Sequence, residues 1–569
     1  MAAESSSLFE PGRNCYQVAR ARRAALLIDA EAYFRAFAHA ALHARSSIVL
    51  LGWDFHSQTR LHLNLAGVPD LLGDFLNFLL RRNRRLRIFI LAWDYPLMFG
   101  QGREPPVGAD GGWQPHSRIR FHYDSNCPLG AALHQKIVVI DGAVAFCGGI
   151  DLTIGRWDTP AHISRDPRRT NLGEIESYGP VHDTMLSVDS AAAYALLDIA
   201  QQRWFAATGR PLPVFSSVRD AWPESVAPMF YDVNVGVART VPPRESGRAA
   251  VIEVEKLYLD MIAAARRYIY IENQYFTAKA PGDALAVRLA EADGPEVIVV
   301  ARLSSHGWLE APTMAALRTV LMRKLRAADT HGRLQVWYPE SHGECCDVHS
   351  KLMLVDDRWL RVGSANFANR SMGLDTECDL VIEAGEDDVA RSAMVATRNA
   401  LLGEHLGVAP HDIENALEVT GSLGAAVASL AKSSGRTLRV LEEGTEPSSA
   451  VLALANGVAD PECPVSMQEL IAGCDAHAPD SSGHERNVSP VAGRAHSLLG
   501  GTVLGILLGV LIAMWFVRQL APGVRASIDV VWLLAVTFAA TAAARWIIRG
   551  RSQTNRNTTD RETGRARGS

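Results

Sequence analysis

His349-Ser350-Lys351-Leu352-Met353-Leu354-Val355-Asp356 decides the fold because the chain contains it twice. Read as a strand, the stretch puts His349 and Lys351 on one face and Ser350 on the other. The four apolar residues that follow suit a strand buried on both sides, and Asp356 closes it at a polar turn. The second copy is His134-Gln135-Lys136-Ile137-Val138-Val139-Ile140-Asp141, with the same H-x-K-x-x-x-x-D spacing. Gly148-Gly149-Ile150-Asp151 then stands where Gly363-Ser364-Ala365-Asn366 stands in the other copy. A single His-x-Lys pair reads as a core strand with a stray histidine, but two full matches do not. The chain has only six lysines, and Lys136 and Lys351 are two of them.

Working outward, both copies close the same succession of elements. Before the first come a helix from about Ile28 to Ala44, the strand Ser47 to Asp54, a helix near Leu71 to Arg82, the strand Leu86 to Trp93, and Arg118 to Tyr123. Ala24 to Ile28 reads as the start of that first helix, after a polar lead-in. Before the second copy come a helix near Val254 to Arg266, the strand Tyr268 to Gln274, a further helix, the strand Glu296 to Arg302, a helix from Pro312 to Ala328, and Leu334 to Tyr338. This is an internal repeat of an α/β sandwich, so the expected fold is two pseudo-symmetric α/β sandwich domains followed by C-terminal transmembrane helices. The expected boundaries are a first half (1–211), a connecting segment (212–247), a second half (248–404), a helical segment and flexible linker (405–496), two transmembrane helices (497–548) and a basic tail (549–569).

The membrane expectation rests on Leu498 to Val517, twenty uncharged and mostly apolar residues, and on a second apolar run from Val530 to Ala544. From Arg545 onward the chain carries seven Arg against two acidic residues, which the positive-inside rule assigns to the cytoplasmic side. A helical hairpin returns the chain to its starting side, so a multi-pass membrane protein with a cytoplasmic catalytic domain is expected. The first thirty residues contain no secretory signal. The net charge of −5 weighs against nucleic acid as a partner, because backbone binding needs a basic surplus. The eight cysteines suggest neither a disulfide framework nor a zinc site. Cys345 and Cys346 lie near His342 and His349, but adjacent cysteines rarely chelate one ion and His349 already has a role, so no metal and no cofactor are expected.

An imidazole beside an ammonium makes a phosphate site. Displacement at a phosphodiester needs a nucleophile on one side of phosphorus and a proton donor on the other. Two copies related by a pseudo-two-fold axis supply both, and the paired lysines neutralise the non-bridging oxygens.

At these residues the sequence resembles the phospholipase D superfamily, whose signature is the doubled H-x-K-x-x-x-x-D followed by the Gly-rich element. The resemblance covers roughly residues 11 to 385. Gly148 to Asp158 and Ile271-Glu272-Asn273-Gln274-Tyr275-Phe276 are similar to the phosphatidylcholine-type enzymes of eukaryotes and their bacterial relatives. The resemblance implies a covalent phosphatidyl-histidine on His134, with His349 as the acid that protonates the leaving alcohol and then activates water. It implies that Asp183 and Glu377 hold the far nitrogens of the two rings, and that Lys136, Lys351, Ser364 and Asn366 complete the site. Asp141 and Asp356 are expected to brace the loops after the motif strands. Asp151 departs from the Asn expected by symmetry with Asn366.

The expected partner is therefore a phospholipid in a membrane, hydrolysed to phosphatidic acid and a free head group. A phosphatidyltransferase such as a cardiolipin synthase uses the same intermediate with another acceptor. A nuclease would need a basic groove, and a non-catalytic membrane scaffold sits poorly with two intact His and Lys pairs.

Overall fold

The computed structural model describes residues 7–464, apart from 95–103, 105–106, 109–111, 129, 172–176, 214–219, 244–248, 306 and 308–309. The chain divides into two units, Met1–Asp475 and Ala476–Ser569, and every described residue belongs to the first. The expected linker, both apolar runs and the basic tail lie outside the described residues. Among the described residues, no helix is long and apolar enough to cross a membrane.

The first half contains β1 (Gln17–Ile28), α1 (Asp29–Leu42), β2 (Ser47–Gly52), α2 (Leu72–Arg82), β3 (Arg87–Trp93), β4 (Ile119–Asp124), β5 (Ile137–Ile140), β6 (Val144–Gly148), β7 (Val181–His182), β8 (Thr184–Asp189) and α3 (Ser190–Thr208). The second contains β9 (Phe230–Val241), β10 (Val251–Ile252), α4 (Glu253–Ala264), β11 (Tyr268–Asn273), α5 (Lys279–Ala290), β12 (Glu296–Ala301), α6 (Glu310–Ala328), β13 (Leu334–Ser341), β14 (Glu344–Cys345), β15 (Asp347–Val348), β16 (Lys351–Val355), β17 (Trp359–Gly363), α7 (Asn369–Gly373), β18 (Glu377–Glu383) and α8 (Asp388–Leu406). Then follow α9 (Pro410–Thr420), α10 (Leu423–Leu430), β19 (Arg436–Val440) and α11 (Ser449–Leu454).

Strand pairing makes the repeat explicit. From β4 the ladder runs β3, β2, β5, β6, β8, β1. From β13 it runs β12, β11, β16, β17, β18, β9. In each half the first three strands are parallel and the motif strand joins antiparallel. β1 and β9 pair antiparallel, which puts a pseudo-two-fold axis between them. The segment read from sequence as a connection thus contains β9, a central strand.

Alternation along the buried strands builds the layers. Ile48 and Leu50 of β2 pack with α1 and α2, while Val49 and Leu51 face a core shared by both halves. In β16, Met353 and Val355 pack on the second half's own helical side, and Leu352 and Leu354 face the shared core. Both faces are therefore apolar, which is why these strands read as unbroken hydrophobic runs. α3 and α8 also contribute to the shared core.

Two sequence expectations need correction. The run before Asp29 is strand β1, not a helix. Ala19 and Ala21 are buried while Val18, Arg20 and Arg22 point outward, a period of two that the apolar run Ala24 to Leu27 obscured. The motif strands also start later than expected, at Ile137 and Lys351. The backbone just before them pairs with the opposite half instead. His134 N–H donates to Thr376 O (3.1 Å) and His349 N–H to His182 O (2.8 Å). Leu133 bridges Thr376, and β15 pairs with β7.

Candidate active site

Those two short crossings bring each motif histidine against a carboxylate of the other half. His134 Nδ1 lies 3.0 Å from both oxygens of Glu377. His349 Nδ1 lies 2.7 Å from Asp183 Oδ2. Glu377 directly follows Thr376 and Asp183 directly follows His182, so the crossing that fixes each imidazole backbone also delivers its carboxylate. With Nδ1–H donated to a carboxylate, Nε2 carries the free lone pair or the transferable proton. Among the described residues no hydrogen bond engages Nε2 of either ring, and the side chains are 14% and 8% exposed, enough to meet a substrate.

The carboxylates are themselves held. Ser364 Oγ donates to Glu377 Oε2 (2.5 Å) and Ser371 Oγ to Oε1 (2.7 Å). Asp183 Oδ1 accepts from Thr184 N–H at 2.7 Å. Position 149 corresponds to Ser364, and a Cβ on Gly149 would lie 2.0 Å from Asp183 Oδ1. The glycine is required because the shorter Asp183 draws its carboxylate against the backbone, where the longer Glu377 leaves room for a hydroxyl.

The lysines differ in company. Lys136 Nζ donates to His134 O (3.0 Å) and pairs with Asp151 Oδ2 at 3.2 Å. Lys351 Nζ donates to the neutral Gln274 Oε1 (3.0 Å) and to His349 O. Asp151 Oδ1 also accepts from Trp53 N–H at 2.9 Å, so the departure from Asn gives Lys136 a fixed ion pair that Lys351 lacks among the described residues. Asn366 is buried; its backbone N–H donates to Ser371 Oγ (3.1 Å), and its Oδ1 has no hydrogen-bond partner among the described residues.

Burial and the nearby cations push both histidines well below the ordinary imidazole value: Lys136 and Lys351 act on His134, and Lys351, Arg156 and Lys136 on His349. That each lysine acts on both rings shows the two motifs converging on one site. Burial lowers Lys351 to about 7 against the pull of Asp183, and raises Asp183 to about 6. Glu377 is also raised by burial, with the two serine hydroxyls opposing. Without substrate the pocket holds neutral imidazoles in a positive field that favours an anion.

Asp141 and Asp356 sit at the far ends of β5 and β16. Asp141 accepts the backbone N–H groups of Arg45, Ser46 and Ser47 at 2.7, 2.7 and 2.8 Å. Asp356 does the same for Arg266, Arg267 and Tyr268 at 2.5, 2.8 and 2.9 Å. Both have left-handed backbones, with φ of 54° and 55°. They clamp the turns that enter β2 and β11 and take no place among the reacting groups.

Sequence reasoning missed Gln274, Gly149 and Ser371 as parts of the site. The aligned repeats set Gly149 opposite Ser364, but nothing in the sequence places it against Asp183. Gln274 follows β11 as Trp53 follows β2. Ser371 gave no such signal, because α7 has no counterpart among the first half's helices.

Comparison with known proteins agrees with this geometry. A family model described as phospholipase D matches residues 128–280, and one described as cardiolipin synthase, PLD-like domain, matches residues 258–393. Phospholipase D A of Dictyostelium discoideum is 24% identical over 472 residues, spanning 68% of this chain and 36% of that protein. Phospholipase D alpha 1 of Carica papaya is 24% identical over 514 residues, spanning 64% of this chain and 62% of that protein. The chain thus covers less than two-thirds of either relative's length. The phosphatidylserine synthase of Haemophilus influenzae aligns at 13% identity with a TM-score of 0.47, covering 68% of this chain and 89% of that one. With each family model carrying one motif histidine and the two motifs meeting in one site, this chain belongs to the phospholipase D superfamily.

Proposed function

We propose that the protein is a membrane-associated phospholipase D that hydrolyses a glycerophospholipid to phosphatidic acid and a free head group through a phosphohistidine. The observation that carries this reading is the reciprocal pairing of His134 with Glu377 and of His349 with Asp183. It gives two oriented imidazoles, one for each side of a phosphodiester, with Lys136 and Lys351 for its charge. The low-identity curated relatives are phospholipases D, which favours a lipid over other phosphodiesters.

In the first step His134 Nε2 forms a bond to phosphorus while the bond from phosphorus to the head-group oxygen breaks, and that oxygen takes the proton of His349 Nε2. An anionic phosphodiester offsets the lysine charges and so lets His349 hold this proton. In the second step water gives a proton to His349 as it attacks phosphorus, the bond to His134 breaks, and phosphatidic acid leaves. Glu377 and Asp183 stabilise the imidazolium character that develops on each ring. The apolar runs at 498–517 and 530–544 would keep the site beside its bilayer, with the catalytic domain cytoplasmic.

A second reading is phosphatidyl transfer to an alcohol, favoured by the match of residues 258–393 to the cardiolipin synthase description. Mass spectrometry of products from liposomes of defined composition separates the two. Phosphatidic acid with free head group is expected, and cardiolipin from phosphatidylglycerol as the sole product would replace the first reading with the second.

A further inference from the structure

Behind His349, and separate from the reacting groups, four buried side chains close into a ring. Asp29 begins α1, His162 lies in the loop before β7, His182 is in β7, and Glu404 comes from α8 of the other half. Around the ring, His162 Nε2 lies 3.1 Å from Glu404 Oε1 and 3.7 Å from Asp29 Oδ2. His182 Nδ1 lies 2.7 Å from Glu404 Oε1 and 3.4 Å from Asp29 Oδ1. Imidazole and carboxylate alternate, and all four are buried. A tetrahedral zinc ion with bonds near 2.0–2.1 Å spaces its ligand atoms about 3.3 Å apart; taken one from each side chain, the four candidate atoms lie within 4.8 Å of one another, so the ring closes around an ion by a small contraction.

The outward nitrogens make the second, independent argument. His162 Nδ1 is held by Asp158 Oδ2 at 2.9 Å and His182 Nε2 by Glu272 Oε2 at 2.8 Å. Each outer carboxylate is braced in turn, Asp158 by Arg169 (3.0 Å) and Glu272 by Tyr270 (2.6 Å) and Ser350 (2.9 Å). Carboxylate–histidine relays of this kind fix the tautomer that turns a lone pair toward a metal.

Protons alone fill the ring badly. With a proton on each inward nitrogen, both hydrogen bonds go to Glu404 Oε1, and the wholly buried Asp29 Oδ2 has no hydrogen-bond partner among the described residues. One divalent ion in place of those two protons leaves the net charge unchanged and satisfies all four side chains. Two nitrogens and two oxygens in a closed four-fold set suit zinc; magnesium and calcium require more oxygen ligands.

We propose that Asp29, His162, His182 and Glu404 form a structural site for one zinc-class divalent ion that ties the two halves together behind the active site. Three ligands come from the first half and Glu404 from the second. His182 precedes Asp183, so the ion steadies the strand that carries the carboxylate of His349. With four protein ligands it has no open position and takes no part in the chemistry.

The test is the metal content of the full-length, untagged protein, measured by inductively coupled plasma mass spectrometry after exchange into metal-free buffer. The proposal expects close to one zinc per chain, released to an indicator dye only when guanidinium unfolds the protein. It expects Glu404→Gln to lower zinc content at least about tenfold, and the outer change Asp158→Asn to weaken affinity by about 10–100-fold. Cobalt(II) bound in place of zinc should give the visible spectrum of a tetrahedral site, a readout that needs no variant to fold. Wild-type protein with no stoichiometric metal, either as purified or after refolding with zinc, would overturn the proposal. So would zinc that a brief chelator wash removes from folded protein, or zinc that folded Glu404→Gln retains in full.

Discussion

Glu377, in the second half of the chain, holds the imidazole of His134, in the first, with both carboxylate oxygens 3.0 Å from Nδ1. In the proposed first step the His134 ring gains positive charge as it bonds to phosphorus, and the Glu377 carboxylate would balance it. Glu377→Gln keeps the shape and removes the charge, so kcat should fall by about 10²–10⁴-fold with little change in KM. Steady-state kinetics together with a circular dichroism melt check this. A kcat within a few-fold of wild type in a folded variant would show that the pairing serves structure alone.

Gly149 gives a sharper test of the other pair. In Gly149→Ala the new Cβ would stand 2.0 Å from Asp183 Oδ1, so Asp183 must swing away from His349. A misplacement of this size should cost about 10–100-fold in kcat. Gly67, which has open space around it, is the control, although its positive φ strains any replacement slightly.

The two aspartates that close the motifs should behave differently from the histidines. Asp356→Ala strands three backbone N–H groups at the turn into β11. The expected loss is about 2–4 kcal/mol of stability, read as a lower Tm, with the turnover of the protein that remains folded nearly unchanged. Loss of turnover with an unshifted Tm would place Asp356 in the chemistry after all.

The pH dependence of kcat/KM reports the free enzyme. Burial raises Asp183 to about 6, so activity should be lost as the pH falls through that value and the carboxylate that orients His349 is neutralised. Burial lowers Lys351 to about 7, so activity should also be lost as the pH rises through that value and the phosphate loses an ammonium. On a soluble short-chain phospholipid the profile should therefore be a narrow bell between the two. Lys351→Arg, which stays charged, should move the alkaline limb upward even if it slows the enzyme. A flat profile would contradict the assignment of both groups.

The repeat was legible because its evidence is local. Two eight-residue motifs, strands buried on both faces, and matching element orders all lie in short windows of sequence. Even the roles of Asp183 and Glu377 were recoverable through the family resemblance. What stayed hidden depends on the pairing of distant segments. β1 looked like a helix start because Ala24 to Leu27 is packed on both faces, Ala24 and Leu26 in the shared core and Ala25 and Leu27 against α1, and so loses its period-two signal. The later start of β5 and β16 follows from crossings between halves at Thr376 and His182, more than 150 residues from their partners. The ring of Asp29, His162, His182 and Glu404 has no sequence spacing at all, since four separate segments build it.

In the proposed mechanism His134 bears the covalent intermediate, and His349 protonates the leaving alcohol and then takes a proton from water. A phosphatidyl-p-nitrophenol substrate has a leaving group that needs no acid, so in His349→Asn the first step should proceed while hydrolysis of the intermediate, lacking its base, stalls. Quenching that variant with this substrate and mapping peptides by mass spectrometry locates the phosphatidyl group. The expected result is a phosphatidyl adduct on the peptide carrying His134, absent from His134→Asn under the same conditions. No adduct on His134, or an adduct on His349 in the wild-type enzyme, would rule out His134 as the nucleophile.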